Sequence, residues 1–344
     1  MKQDPNMNSS DDRILLAHGS GGELTHQLVT SLFARSFQNP LLQPLDDSAV
    51  YSTEGTRWAF TTDSYVVTPI FFPGGDIGKL AVCGTVNDLA MSGAQPLFLS
   101  AGFIIEEGFL FSDLKRIVQS MQKTASEAGV QIVTGDTKVV NRGAADGVFI
   151  NTAGVGRIPP EIHISGHNAR PGDKVLVSGT LGDHGVAILC AREGLEFSTA
   201  LLSDCAPLNH LVEKLIAASP HIRCLRDPTR GGLSSTLNEL ARQSEVGIWV
   251  EEKRIPVKEE VRGACELLGF EPWTLANEGK LVAIVAAEAA EATLRALQDH
   301  PLGRDAAMIG EVKEEPPGKV ILCTPIGSTR LLDMMVGEPL PRIC

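Results

Sequence analysis

Apolar residues recur along this chain in alternating helical and strand-like runs. Behind His18-Gly19-Ser20-Gly21-Gly22, the positions Leu24, Leu28, Leu32 and Phe33 predict a helix over about 23–37. Trp58 to Thr62 reads as a strand ending at Asp63. Leu80, Val82, Val86 and Leu89 predict a helix over 78–91, and Leu97 to Ile105 is strand-like. A helix over 114–128 closes at Gly129, followed by a short buried strand, Val130 to Thr134, that runs into Gly135-Asp136. Val148 to Val155 is a further strand.

The stretch 156–173 holds Pro159, Pro160, Gly166, Pro171 and Gly172, and reads as a link between two domains. The same grammar then restarts. Lys174 to Ser178 is a strand, with helices near 184–193, 207–218, 231–244 and 258–268. Leu281 to Ala286 is a strand, 287–299 a helix, and 307–312 and 319–324 late strands. Mixing of this kind in both halves predicts two α/β-type domains. The expected division is a leader over 1–13, a first domain over 14–157, a linker over 158–173, a second domain over 174–328 and a flexible tail over 329–344.

Composition narrows the function. The 344 residues are 43% hydrophobic and 21% charged, with a net charge of −12. Nucleic-acid binding needs a basic face, which this balance disfavours. Seven cysteines at wide spacings form no CxxC pair, so neither a zinc cluster nor a disulfide framework is expected. No secretory signal or membrane-spanning run is visible, so a cytoplasmic protein with free thiols is expected.

Aspartates stand beside apolar runs. Asp63 and Asp136 follow predicted strands, Asp88 sits in Asn87-Asp88-Leu89-Ala90, and Asp47 in Asp46-Asp47-Ser48. Each alone fits a cap or turn. Together, with flanking glycine and threonine, they favour a metal–nucleotide site, with magnesium as the ion that would hold carboxylates and polyphosphate together. Gly74-Gly75-Asp76-Ile77-Gly78-Lys79-Leu80 resembles a Walker loop but fails at Pro73 and Leu80. The run Gly19 to Gly22 could set backbone N–H groups against phosphate. Lys138 and Glu278 are either surface or capping residues, or a charge and a base near a transferred group. Arg230, in Asp227-Pro228-Thr229-Arg230-Gly231-Gly232, fits a structural turn or a phosphate contact. The chain ends in Pro339-Leu340-Pro341-Arg342-Ile343-Cys344, which reads as a thiol on a stiff, hinged arm.

These segments, with Phe71 to Leu80, Gly135 to Val140, Ala276 to Lys280 and the final Pro341-Arg342-Ile343-Cys344, closely resemble the HypE family, the carbamoyl dehydratases of NiFe hydrogenase maturation. The resemblance runs from about Leu16 to Cys344. It implies a mixed α/β, two-domain fold like that of aminoimidazole ribonucleotide synthetase (PurM-like), dimeric through the N-terminal domain. It also implies ATP and Mg2+ as cofactors. It assigns Asp47, Asp63, Asp88 and Asp136 to magnesium and nucleotide, with Asn277 also in the nucleotide site. Lys138 and Glu278 match dehydration positions, and Cys344 the substrate-carrying cysteine. The implied partners are a HypF-type carbamoyltransferase and a HypC–HypD-type iron scaffold. Rival readings are a selenophosphate synthetase or thiamine-phosphate kinase on the same fold, or a non-catalytic thiol carrier.

Overall fold

The computed structural model describes residues 13–194, 201–335, 340 and 342–344; the expected leader, save Arg13, lies outside them. In the first half the strands are β1 (Ala49–Thr53), β2 (Thr56–Tyr65), the small hairpin β3 (Phe71–Phe72) and β4 (Gly75–Asp76), β5 (Gln95–Glu106), β6 (Gln131–Val140) and β7 (Val148–Ile158). Helix α1 (Glu23–Leu28) passes through a π-helical turn, Val29–Phe33, into α2 (Ala34–Ser36). The helix expected over 23–37 is therefore present but locally widened. Helices α3 (Ile77–Met91) and α4 (Phe111–Ala128) follow, the latter closed by left-handed Gly129 at φ +71°.

The main sheet has the order β1-β2-β7-β5-β6, antiparallel except for β5 with β6. That parallel pair requires a crossover, which α4 provides. Strand alternation decides which side chains meet the helices. Along β2, Ala59, Thr61 and Tyr65 turn inward, whereas Phe60, Thr62 and Ser64 turn to the open face. Phe60, Phe98 and Ile104 on that face are 48, 44 and 45% exposed. Strand β6 departs from the sequence expectation. It runs on to Val140 and is exposed over nearly its whole length, because only β5 lies beside it.

The Gly74–Leu80 segment forms the hairpin and the start of α3, consistent with rejection of a Walker loop. Asp76 caps the helix, its Oδ1 accepting from the Gly78 and Lys79 N–H groups at 2.7 and 3.1 Å. Helix α3 is buried on almost every side, between the first sheet and the second half of the chain. Its small residues follow from that position. A Cβ on Gly84 would lie 2.2 Å from the Tyr65 hydroxyl.

The second half contains β8 (Lys174–Val177), β9 (Ile222–Arg226), β10 (Gly247–Glu251), β11 (Val282–Val285), β12 (Ala307–Lys313), β13 (Lys319–Cys323) and β14 (Thr329–Leu331), in the order β14-β13-β10-β12-β8-β11-β9. Its helices are α5 (Asp183–Glu193), α6 (Asn209–Ala218), α7 (Gly232–Ser244), α8 (Glu259–Leu268) and α9 (Ala290–Gln298). Helices α6 and α9 cover one sheet face, and α7 the other. The proline-rich stretch between the halves is not loose: Ile162, Ile164 and Ala169 are buried in it. Thr329–Leu331, expected in the tail, pair with β13. Among the described residues no helix is long and apolar enough to cross a membrane.

Candidate active site

The inward face of β2 begins the site. Asp63 and Tyr65 share that face, and the Tyr65 hydroxyl, fitted against Gly84, donates to Asp63 Oδ2 at 3.2 Å. From α3, Asp88 accepts from the Thr61 hydroxyl at 2.8 Å. Asp227 follows directly on β9 and is 7% exposed. Glu278, ahead of β11, is 3% exposed, and its backbone N–H donates to Asp204 at 3.0 Å. Lys280 pairs with the other Asp204 oxygen at 3.1 Å, which ties the 201–208 segment over Glu278.

Burial raises the pKa of Asp63, Asp88, Asp227 and Glu278, whereas at Asp204 burial is outweighed by Lys280 and His184 and the pKa falls. Asp88 stands well above the ordinary value through burial, with Asp63, Asp227 and Asp47 adding repulsion. Asp63 is raised by burial, against the pull of Arg230 and the Tyr65 hydroxyl. Asp227 is pushed up to about 6, chiefly by burial. Burial also raises Glu278 well above its ordinary value, and Cys205, Asp227, Asp204 and Asp63 add to the rise. Asp227 Oδ2 and Glu278 Oε1 are buried without a hydrogen-bond partner. Such groups are costly unless something pairs with them.

Asp227 gives a measurable consequence. Its unfolded carboxyl titrates near 3.8 and its folded one near 6. Between about pH 4 and 6 the folded state holds the extra proton, so stability falls as pH rises, by up to a few kcal/mol. Calorimetry should show this as a fall in the melting temperature of the free protein from pH 4 to 6 that is smaller in Asp227→Asn. Parallel curves for the two proteins would refute this assignment.

Above the cluster, the Gly19–Gly22 run rests on the 227–232 turn. Arg230 donates to the Gly19 carbonyl at 2.8 Å. Gly21, at φ +79°, lies so close that a Cβ there would sit 2.6 Å from Arg230 Cβ and its carbonyl oxygen. Arg230 is held in its charged form by the neighbouring Cys344, then by Asp63 and Glu278.

The tail also enters this cleft. Val66 N–H donates to the Cys344 carbonyl at 3.0 Å, and Thr68 N–H to the Arg342 carbonyl at 3.2 Å. Ile343 is 5% exposed, and Cys344 packs at the edge of the same apolar cluster. The arm expected to be mobile thus has its last residues seated three positions beyond Asp63.

Within one chain, four of the expected site residues are engaged with other partners. Asp136 lies on β6, in register with Gly102, Asn151 and Ser64 on the open face. Asp63 belongs to the adjacent inward row, and three strand spacings, about 14 Å, separate β6 from β2. Asp136 therefore does not join Asp63 and Asp88 within one chain. Lys138 shares that open face, pairs with Asp136 at 2.9 Å, and has a 68% exposed side chain. Asp47 is drawn aside by Arg226, Nε to Oδ1 at 2.8 Å, while Arg226 also holds Glu239. Asn277 is fully buried and spent on backbone: it accepts from Gly182 N–H at 2.8 Å and donates to the Pro228 and Leu275 carbonyls, both at 3.0 Å. It shapes the turn rather than facing the cleft.

Residues 45–158 and 170–323 match the family models for AIR synthase related protein, N-terminal and C-terminal domains respectively. The chain is 56% identical over 329 residues to carbamoyl dehydratase HypE of Azotobacter vinelandii, covering 96% of each protein. The chain belongs to the HypE family of carbamoyl dehydratases. Two solved HypE structures superpose closely. One is a HypE–HypF complex (TM-score 0.86, 51% identity, 90% of this chain and 99% of that one). The other is HypE with ATP (TM-score 0.82, 53% identity, 96% and 100%). The selenophosphate synthetase, thiamine-phosphate kinase and bare-carrier readings fall with this assignment.

The residues present suit a hydrated magnesium–nucleotide complex. Among the described residues no three His, Cys, Asp or Glu side chains close into a metal cage. Magnesium commonly takes only one or two carboxylates and fills its shell with water and phosphate oxygens. The mutually repelling Asp63, Asp88 and Asp227 would welcome that charge. Asp227, which the sequence reading places only in a turn, joins this cluster, and Arg230, read there as a turn residue or a phosphate contact, lies beside it.

Proposed function

We propose that this chain catalyses the ATP-dependent dehydration of a carbamoyl group carried on Cys344, giving a protein thiocyanate. The carrying observation is that the last three residues seat in the same cleft as Asp63, Asp227, Arg230 and Glu278. Asp63, Asp88 and Asp227 would hold magnesium. Magnesium-bound ATP would supply the phosphoryl group that converts the carbamoyl oxygen into a departing phosphate. Cys344 Sγ keeps hold of the carbon throughout, since sulfur both accepts the group and can later release it. Glu278, its Oε1 unpaired and its carboxyl made more basic by burial, takes one of the two nitrogen protons as the oxygen is phosphorylated, and the other leaves with the departing phosphate as the C–N bond becomes triple. Arg230 steadies negative charge at the cleft mouth. The balance is S–C(=O)–NH2 plus ATP giving S–C≡N, ADP and phosphate.

Lys138 projects from the open face of the first sheet, away from the buried Glu278, so its role calls for a second copy. The open face, with Phe60, Phe98 and Ile104, and the free edge β6, with Val133 and Val139 57 and 67% exposed, suit a homodimer. In that homodimer Asp136 and Lys138 complete the neighbouring site. The HypE–HypF structure of a relative supports a HypF-type carbamoyltransferase as the donor. A HypC–HypD-type iron scaffold in the cytoplasm would take the cyanide, for use as an iron ligand in NiFe hydrogenase.

The test is the mass of the C-terminal peptide after charging by the carbamoyltransferase, with and without magnesium–ATP. A carbamoyl adduct on Cys344 should lose one water only when ATP is present. ATP hydrolysis with no adduct on Cys344 would overturn the reading.

A further inference from the structure

His184 lies in the first turn of α5 and is fully buried. A buried histidine needs partners for both ring nitrogens. Nε2 lies 2.8 Å from the Ile343 carbonyl, and Nδ1 2.8 Å from the Ser203 hydroxyl. A carbonyl can only accept, so Nε2 carries the proton. Burial lowers the pKa of His184, which favours the neutral ring, and its Nδ1 is then an acceptor for the Ser203 O–H. The Ser203 oxygen in turn accepts from the Cys205 N–H at 3.1 Å, and Ser203 N–H donates to the Pro73 carbonyl at 2.8 Å. The Phe72 ring stands edge-on to the imidazole at 5.6 Å. Ser203 and Phe72 thus hold the ring orientation, and the Ile343 carbonyl of the seated tail selects the Nε2–H tautomer.

The bonds on either side of Ile343 are of another kind. The Arg342 and Cys344 carbonyls take backbone N–H groups from Thr68 and Val66, with Arg192 adding a bond to the former at 3.0 Å. Arg342 also reaches the Val66 carbonyl at 2.8 Å and pairs with Asp146. These contacts lie on the N-terminal half, apart from Arg192. His184 grips the tail from the C-terminal half, through the carbonyl next to Cys344.

We infer that His184, set by Ser203, is a positioning residue that latches the tail inward and so aims Cys344 at the dehydration site. This rests on the proposed reaction. It predicts opposite effects on the two halves of the cycle, because the thiol must be outward to be charged and inward to be dehydrated. Loss of one such hydrogen bond should shift the ratio of inward to outward tail about tenfold.

The experiment compares wild type with His184→Ala, His184→Gln and Ser203→Ala. Alkylation of Cys344 by N-ethylmaleimide, read on the C-terminal peptide, should speed up in His184→Ala, and ATP-dependent loss of water from pre-carbamoylated protein should slow, the two fold-changes multiplying to about ten. His184→Gln, which keeps an N–H donor near the Nε2 position, should recover most of both rates. Ser203→Ala should shift both in the same directions, by less. Alkylation unchanged in His184→Ala, or both rates falling together, would overturn the latch. Alkylation does not depend on the chemistry, so the latch stands or falls even if wild-type protein never loses water. In that case only the proposed reaction is lost.

Discussion

Cys344→Ser should form no dehydrated product, a loss of about a thousandfold or more, while its affinity for ATP stays at the wild-type value. The reason lies in what the substitution touches. Cys344 is anchored by its main chain, through the Val66 N–H, and the Ile343 side chain beside it is buried. Exchanging sulfur for oxygen leaves those contacts in place, so the serine variant should still seat its tail. What disappears is the thiolate, which accepts a carbamoyl group readily and later releases the cyanide carbon. A hydroxyl is far less ionised at neutral pH and is a poorer leaving group. Nucleotide titration by calorimetry, together with the C-terminal peptide mass, separates the two properties. Loss of ATP binding along with turnover would mean that the sulfur helps build the nucleotide site, and the account of Cys344 as a carried substrate group would fail.

Much of this was legible in the sequence where local chemistry decides structure. Helices α3 and α4 announce themselves by apolar spacing, and Gly129 closes α4 as a left-handed cap. The acidic cluster was legible only in part. Strand β9 is five residues long and carries Arg223 and Arg226 among its apolar positions, so it was not read as a strand. Read as one, it would have made Asp227 another strand-end aspartate. Asp136 and Lys138 lie apart from the cluster within one chain for a different reason. Strand alternation says that neighbouring residues point to opposite faces, but not which face the helices will cover. That choice is made by the packing of α3 and α4 against the sheet. Asn277 enters the expected nucleotide site only through the family resemblance; the fold reveals that its amide is already bonded to three backbone groups.

Mixing two inactive variants should restore activity. Lys138→Ala and Glu278→Ala should each accept the carbamoyl group yet stall before dehydration, with rates down by about 10²–10⁴-fold as expected for loss of a proton-transfer or charge-stabilising group. Glu278 sits in the buried cluster, whereas Lys138 projects from the open face of the sheet, on a free edge strand. If a second copy covers that face, each site takes Glu278 from one chain and Lys138 from the other. A mixed dimer of the two variants then has one intact site and one site lacking both groups. Random exchange of equal amounts makes half of the dimers mixed, so about a quarter of the wild-type sites should work. If both residues served one site within a single chain, every site in the mixture would lack one of them and no activity would return. The measurement is single-turnover loss of water from the charged C-terminal peptide after subunit exchange, with each variant alone as the baseline. A mixture no better than its parents, with exchange verified by mass, would remove Lys138 from the neighbouring site and leave it a surface partner of Asp136.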